Sequence, residues 1–110
     1  MKTLKFSSEL VPLIQNSSKT TTWRLFDDKD IQVGDSLILI KRPELQPFAL
    51  ARVTKVTIKL LKDLNDDDKE GHEDTGTPDS MYKKYSEYYK QQVTPDTEVK
   101  VIKFKIDRLL

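Results

Sequence analysis

Strand-like segments make up most of this chain, and helical spacing occurs in only two places. The strand-like segments are rich in β-branched and aromatic residues and are separated by turn-forming Asp, Gly and Pro. Helices are predicted from residue 7 or 8 to about residue 16, and from residue 77 to about residue 92. Because strands and helices do not alternate, we predict an α+β fold, a small mixed β-barrel of about six strands with two flanking helices. The clearest strand segments are residues 4–6, 20–25, 36–40, 48–58 and 99–106.

Length and composition limit the classes of protein to which the chain can belong. Its 110 residues fit one domain over residues 1–110, and 36% hydrophobic with 34% charged residues permits a modest core. The absence of cysteine excludes disulfides, thiolate metal sites and a cysteine nucleophile. The N-terminal residues lack the apolar run of a signal peptide, and no apolar run reaches membrane-spanning length. We therefore expect a cytoplasmic protein without a cofactor.

Charge is divided unevenly along the chain, although the net charge is only +1. Residues 1–62 carry 11 basic and 6 acidic side chains, residues 63–96 carry 4 and 10, and the last 14 residues carry 4 and 2. If the basic ends pair in one sheet, their lysines form a basic rim suited to phosphates. The alternative is that these lysines are ordinary solvated side chains on strand faces. Both interpretations remain open at this stage.

A cluster of functional side chains occurs in residues 17–26, at the start of a predicted strand. Lys19, Thr22 and Arg24 bring an ammonium, a hydroxyl and a guanidinium into one short segment, where they can grip an anionic or amide-bearing ligand. Residues three apart on a continuous strand face opposite sides. Lys19 can therefore reach Thr22 only if it lies in the turn before the strand begins.

The spacing of this cluster resembles the lysine-x-x-glutamate-x-arginine signature of ASCH domains, small prokaryotic relatives of PUA RNA-binding modules. Ser17 stands at the usual glycine position and Thr22 at the usual glutamate position. The threonine is similar to the variant found in bacterial ASCH enzymes that deacetylate N4-acetylcytidine. The resemblance extends from residues 2–6 through 33–35 and 70–73 to 101–105. It implies a PUA-like β-barrel that binds RNA or a modified nucleoside.

The same resemblance implies an amidohydrolase site. It assigns Lys19 as general base, Thr22 as nucleophile and a glutamate from the acidic segment as third partner, with Glu73 the candidate and Glu70 a substitute. A threonine hydroxyl is a poor nucleophile until a base removes its proton, and a lysine serves as that base only if its pKa is lowered. Arg24 either supplies a cation that lowers this pKa or binds the substrate.

A non-catalytic RNA-binding module is the main alternative. In that interpretation Lys19 and Arg24 contact phosphate or a base edge, and Trp23 or a tyrosine offers a stacking face. Trp23 alternates with its neighbours on the strand, which favours a place in the core. The tyrosines of the second predicted helix spread over more than one face, so at least one should be exposed; they are Tyr82, Tyr85, Tyr88 and Tyr89. A protein-interaction module is a third possibility, and solvated Lys19 and Arg24 side chains a fourth.

The acidic segment 66–74 predicts a mobile surface loop, because Gly71, Gly76 and Pro78 interrupt or follow it. His72 lies there among carboxylates. A lone histidine on such a loop lacks the pre-set geometry of a zinc site, so no metal site is predicted. The sequence leaves the oligomeric state open, and we favour a monomer.

Overall fold

The computed structural model describes all residues, 1–110, and contains one five-stranded sheet. Along the sheet the strands follow the order β1, β3, β4, β5, β2. Strand β1 pairs with β3 in parallel, and every other neighbouring pair is antiparallel. The strands are β1 (Lys2–Ser7), β2 (Thr21–Leu25), β3 (Ser36–Arg42), β4 (Gln46–Leu60) and β5 (Glu98–Leu109).

Strand β4 is the longest strand, with 15 residues, and it curls the sheet. It pairs with β3 through its first half and with β5 along almost its whole length. Its register against β5 shifts between Leu50 and Ala51 and again between Val53 and Lys55. Such bulges bend a strand and increase its twist, so the sheet closes into a half-barrel. The predicted α+β, PUA-like fold class is confirmed, with five strands instead of about six.

Three α-helices accompany the sheet: α1 (Val11–Gln15), α2 (Asp66–Lys69) and α3 (Pro78–Tyr89). The two predicted helices correspond to α1 and α3. Thr77 caps α3 by accepting a hydrogen bond from the Ser80 amide, as a threonine before a proline predicts. Lys90 ends α3 in the left-handed conformation, about two residues earlier than predicted. None of the three helices is long and apolar enough to cross a bilayer.

The buried apolar residues form two clusters that lie on either side of β5. Val99 and Val101 face one side of this strand, whereas Ile102 and Phe104 face the other. The larger cluster has 13 residues, 12 from β1, α1, β3, β4 and β5 and one, Ile31, from the loop before β3. The smaller has 7 residues and joins β2, β5 and α3. Helix α3 is therefore held over β2, and the space between them is where the functional side chains meet.

The acidic segment is a surface loop only in part: the prediction is wrong for residues 66–69, which are helical, and agrees with the irregular backbone that follows them. Residues 66–69 form α2, which begins with a reciprocal capping box between Asn65 and Asp68. Asp68 is buried and pairs with Lys59 at 2.6 Å. The Gly71 carbonyl accepts hydrogen bonds from the Thr20 and Thr21 amides at 2.8 and 3.1 Å. These bonds fix the segment against the start of β2, because otherwise the buried backbone groups would lack partners.

Candidate functional site

Lys19 lies in the turn between α1 and β2, two residues before the strand begins. Its amide donates to the Leu13 carbonyl at 2.9 Å, so the turn closes back onto α1. Lys19 therefore lies in the turn before the strand, as it must if its side chain is to reach Thr22. Its side chain is only 2% exposed, which is rare for a lysine and requires polar partners.

Those partners are Glu73 and the backbone of β2. Lys19 Nζ donates to Glu73 Oε1 at 2.6 Å and to the Thr21 carbonyl at 2.7 Å. Burial lowers the pKa of Lys19 below its usual value of 10.5, and this outweighs the opposite effect of Glu73. The nearby Arg24 cation lowers the pKa of Lys19 further. Burial thus moves Lys19 toward the neutral form that a general base needs.

Glu73 is held in its ionised form. Burial by itself would raise its pKa, but hydrogen bonds and charge from His72 and Lys19 outweigh that effect and lower the pKa to about 2. His72 Nε2 lies 3.0 Å from Glu73 Oε1, and His72 Nδ1 lies 2.8 Å from the backbone oxygen of the same residue. An ionised carboxylate only accepts hydrogen bonds, so Nε2 is the donor in the first contact.

The imidazole of His72 is fixed by stacking on Trp23. The two ring centroids are 3.7 Å apart and the planes differ by 14°. Trp23 Nε1 donates to the Asp68 carbonyl at 3.0 Å, which ties the indole to α2. Trp23 is buried in the smaller core cluster, and His72 covers one face of its ring. Trp23 borders the site, but its main contact is with His72.

Thr22 and Arg24 lie beside the ion pair and contact each other. Arg24 Nε donates to Thr22 Oγ1 at 3.3 Å, and Arg24 Nη2 donates to the Lys5 carbonyl at 2.8 Å. The guanidinium also lies 4.7 Å from the centroid of the Phe6 ring, a cation–π contact. The hydroxyl of Thr22 therefore has Arg24 as its partner, and no direct hydrogen bond joins it to Lys19.

All four side chains line one cavity of about 250 Å³ under the C-terminal half of α3. These are Lys19, Thr22, Arg24 and Glu73, with Tyr85, Tyr88 and Tyr89 on the opposite wall. The volume is near the lower end of the range for small-molecule pockets, which suits a ligand of nucleoside size. Glu73, not Glu70, contacts Lys19; the Glu70 side chain is exposed, and only its carbonyl engages the site, by accepting from Thr21 Oγ1 at 2.6 Å.

Comparison with known families places this cavity in context. A sequence model of the ASCH domain matches residues 2–107, almost the whole chain. The chain belongs to the ASCH domain family. This ASCH domain has the PUA-like fold class described above, a curled five-stranded sheet with few helices. Among curated proteins, the comparison gives no match.

Solved structures share the fold at low sequence identity. Protein EF3133 from Enterococcus faecalis V583 is 22% identical with a TM-score of 0.69, over 93% of this chain and 72% of that one. An ASCH domain from Lactobacillus crispatus JV V101 is 15% identical with a TM-score of 0.62, over 89% and 70%. The S128A mutant of ZmASCH from Zymomonas mobilis is 12% identical with a TM-score of 0.66, over 98% and 71%. At such identities these likenesses concern the fold alone.

The sequence does not indicate the contacts that His72, Tyr85 and Lys103 make in or beside the site of this ASCH domain. It suggests His72 only as a metal ligand, although its place directly before Glu73 also favours a hydrogen bond to that side chain. Tyr85 lines the cavity, and burial, with the Glu73 charge, raises the pKa of its hydroxyl. Lys103 pairs in register with Thr21 across β5 and β2, and its Nζ donates to the Asp67 carbonyl at 2.7 Å. Sequence spacing alone gives no sign of that cross-strand contact.

Proposed function

We propose that this ASCH domain binds RNA or a modified nucleoside in the cavity under α3 and hydrolyses the acetyl amide of N4-acetylcytidine. The observation that supports this most is the buried contact between Lys19 and Glu73 in a cavity that Thr22 and Arg24 also line. A lysine that lines a cavity and whose pKa is lowered by burial is a candidate for acid–base chemistry. The substrate class comes from the similarity to the bacterial deacetylases.

The two hydrogen-bond acceptors of Lys19 suit it to the role of base. A neutral amine has two N–H groups and one lone pair, and the Thr21 carbonyl and Glu73 Oε1 account for two donors. The lone pair is then left to take the proton of Thr22. Glu73, ionised and held by His72, orients the amine.

The proposed reaction proceeds in two steps. Thr22 Oγ1 attacks the acetyl carbonyl carbon as Lys19 takes its proton, and the amide C–N bond breaks as that proton passes to the N4 nitrogen of cytidine. Arg24, whose Nε already donates to Thr22 Oγ1, stabilises the charge that develops on the carbonyl oxygen. Water then hydrolyses the acetyl ester on Thr22. The products are cytidine and acetate.

The test is to incubate the protein with N4-acetylcytidine and to follow the formation of cytidine and acetate. Turnover should rise with pH as Lys19 loses its proton, because only the neutral amine acts as base. Lys19→Met should abolish turnover, whereas Lys105→Met, at an exposed lysine of β5, should not change it. No turnover by the wild type would rule out the proposed reaction, and full turnover by Lys19→Met would rule out the assigned base.

A non-catalytic RNA-binding module is the second candidate. The contact between Arg24 and Thr22 favours it, because the hydroxyl is already partnered by a group that binds anions well. Titration of labelled single-stranded and double-stranded RNA at two salt concentrations would detect such binding. Binding without any turnover of N4-acetylcytidine would select this candidate.

A further inference from the structure

We propose that Phe26, Arg42 and Tyr88 form a stacking subsite for a second nucleotide, so that the substrate is single-stranded RNA and not the free nucleoside. We call the two rings and the arginine beside them the aromatic rim. This inference rests on the proposed function, since it assumes that the cavity holds one nucleoside. It concerns the surface immediately outside that cavity.

The aromatic rim exposes two large rings that share one neighbour, Tyr89. Tyr88 is 54% exposed and Phe26 is 46% exposed, and both pack edge-on against the same ring, Tyr89. The centroid distances to Tyr89 are 4.9 Å for Tyr88 and 5.5 Å for Phe26. About half of each outer ring is therefore exposed, and an exposed aromatic ring offers a surface on which a nucleobase can stack.

The backbone of Phe26 is strained. This residue ends β2 with φ at 54°, in the left-handed region that side chains other than Gly, Asn and Asp seldom adopt. A large apolar ring that is 46% exposed and held in that conformation costs stability, and its partial burial offsets only part of that cost. Backbone strain of this kind concentrates at ligand-binding sites.

Arg42 adds a cation with an unused donor. Its guanidinium lies 5.5 Å from the centroid of the Tyr88 ring, and its Nη2 donates to the Tyr88 hydroxyl. Its Nε is shielded from solvent and has no hydrogen-bond partner in the protein. Because Nε is shielded, a phosphate would meet the other nitrogens of the guanidinium, and arginine is well suited to phosphate.

The aromatic rim is continuous with the cavity. Tyr88 lines the cavity wall opposite Thr22, and Lys5 and Lys84 lie along the same opening. Besides the base Lys19, the cavity lining carries three cations, Lys5, Arg24 and Lys84, against the carboxylates of Glu9 and Glu73. A nucleotide in the cavity would thus place its phosphate near cations and its neighbouring base near the rings. This charge balance favours a nucleic acid over an acidic protein segment as the occupant.

The experiment compares kcat/KM for N4-acetylcytidine with kcat/KM for a short single-stranded RNA that contains one internal N4-acetylcytidine. Wild type should prefer the RNA. Tyr88→Ala and Phe26→Asn should each reduce the ratio of RNA to nucleoside turnover about tenfold, within the range measured for base–aromatic stacking. Tyr88→Phe keeps the ring and should keep the preference, and Ile58→Ala, at an exposed apolar residue of β4, should not change it. Asparagine suits the left-handed backbone at residue 26, so this variant should fold.

A binding measurement separates failure of this inference from failure of the proposed function. An unacetylated, fluorescent single-stranded RNA is titrated into wild type and the same variants. If nothing is turned over, the proposed reaction fails, but weaker binding by Tyr88→Ala and Phe26→Asn would still support the subsite. Equal RNA affinity in wild type and both variants, or an unchanged turnover ratio, would overturn the inference.

Discussion

Among single residues, Lys19 and Glu73 combine two opposed requirements. A general base must be neutral, which burial favours, and a buried amine must also have polar partners, which Glu73 and the Thr21 carbonyl supply. Glu73 would by itself stabilise the ammonium form. Because His72 also donates to Glu73 Oε1, the carboxylate has a second partner besides Lys19, and both partners lower its pKa.

The depressed pKa of Glu73 makes folding stability depend on pH in acid. Its folded pKa is about 2 against a usual value of 4.5, so the ionised form stabilises the fold above about pH 4.5 and this contribution is lost as pH falls toward 2. We expect Glu73→Gln to lose about 2 kcal/mol of unfolding free energy at pH 7 and much less near pH 2. Urea denaturation at a series of pH values measures both. Equal pH dependence in wild type and variant would contradict the assigned pKa.

His72 is a positioning residue in this scheme, since it acts on Lys19 through Glu73. His72→Phe keeps a ring against Trp23 and removes the donor to Glu73 Oε1, so the pKa of Glu73 should rise by about one unit. Carboxyl NMR titration measures that pKa. Turnover of N4-acetylcytidine should fall about tenfold, the effect of about 1.4 kcal/mol on the barrier. His72→Gln is a control that keeps an N–H donor without the ring. If His72→Phe left the pKa of Glu73 unchanged, the positioning role of His72 would be wrong.

Among the structural elements, the join between the acidic segment and β2 determines whether the site forms. The Gly71 carbonyl accepts from two successive amides of the turn into β2, and Thr21 Oγ1 donates to the Glu70 carbonyl. Lys103 Nζ, from β5, donates to Thr21 Oγ1 and to the Glu70 carbonyl, each at 3.2 Å. Five hydrogen bonds thus place Glu73, two to three residues further along, next to Lys19.

Gly71 makes this join possible, and Gly34 provides a matched control. Both have positive φ, at 78° and 89°, but a Cβ on Gly71 would lie 2.2 Å from Thr20 Oγ1, whereas one on Gly34 would contact nothing within 4 Å. Gly34→Ala should cost about 1 kcal/mol of unfolding free energy from backbone strain alone. Gly71→Ala should cost at least about 1 kcal/mol more, because the clash is added to the strain. Chemical denaturation measures both, and equal costs would contradict the tight approach of the segment to β2.

At the scale of the whole molecule, the uneven charge of the sequence is largely neutralised by folding. Asp67 and Asp68 of α2 pair with Lys55 and Lys59 of β4 at 2.8 and 2.6 Å. The acidic middle of the chain therefore covers part of the basic surface formed by the ends. Part of the basic rim that the sequence permitted is therefore paired with carboxylates.

RNA binding should consequently depend only weakly on salt. If about two phosphates are neutralised by cations near the cavity, such as Arg42 and Lys84, the slope of log affinity against log salt should be about −1.4 for a single strand. Arg42→Gln should make this slope shallower by about 0.7, and Lys105→Met should leave it unchanged. Fluorescence titrations at four salt concentrations give the slope. A value near −5 would instead indicate broad contact with a basic surface.

Much of the fold could be predicted because its signals are local. The alternation of apolar residues in β5, the Thr77 cap before Pro78 and the turn that holds Lys19 each depend on residues within a few positions of one another. The family signature is local too, since residues 17–26 contain it. The cavity joins this segment to the acidic segment, since Lys19, Thr22 and Arg24 line it together with Glu73.

The contacts within the site were decided by the tertiary structure. Lys19 and Glu73 are 54 residues apart in sequence, and Trp23 and Asp68 are 45 apart, so no local spacing could show which groups would meet. The choice of Glu73 over Glu70, the stacking of His72 on Trp23 and the pairing of Thr22 with Arg24 all depend on where the acidic segment docks. Sequence by itself determined which backbone segments form and which polar groups the chain offers. Folding determined their partners, because long-range packing and the need to satisfy buried polar groups fix contacts that local preferences leave open.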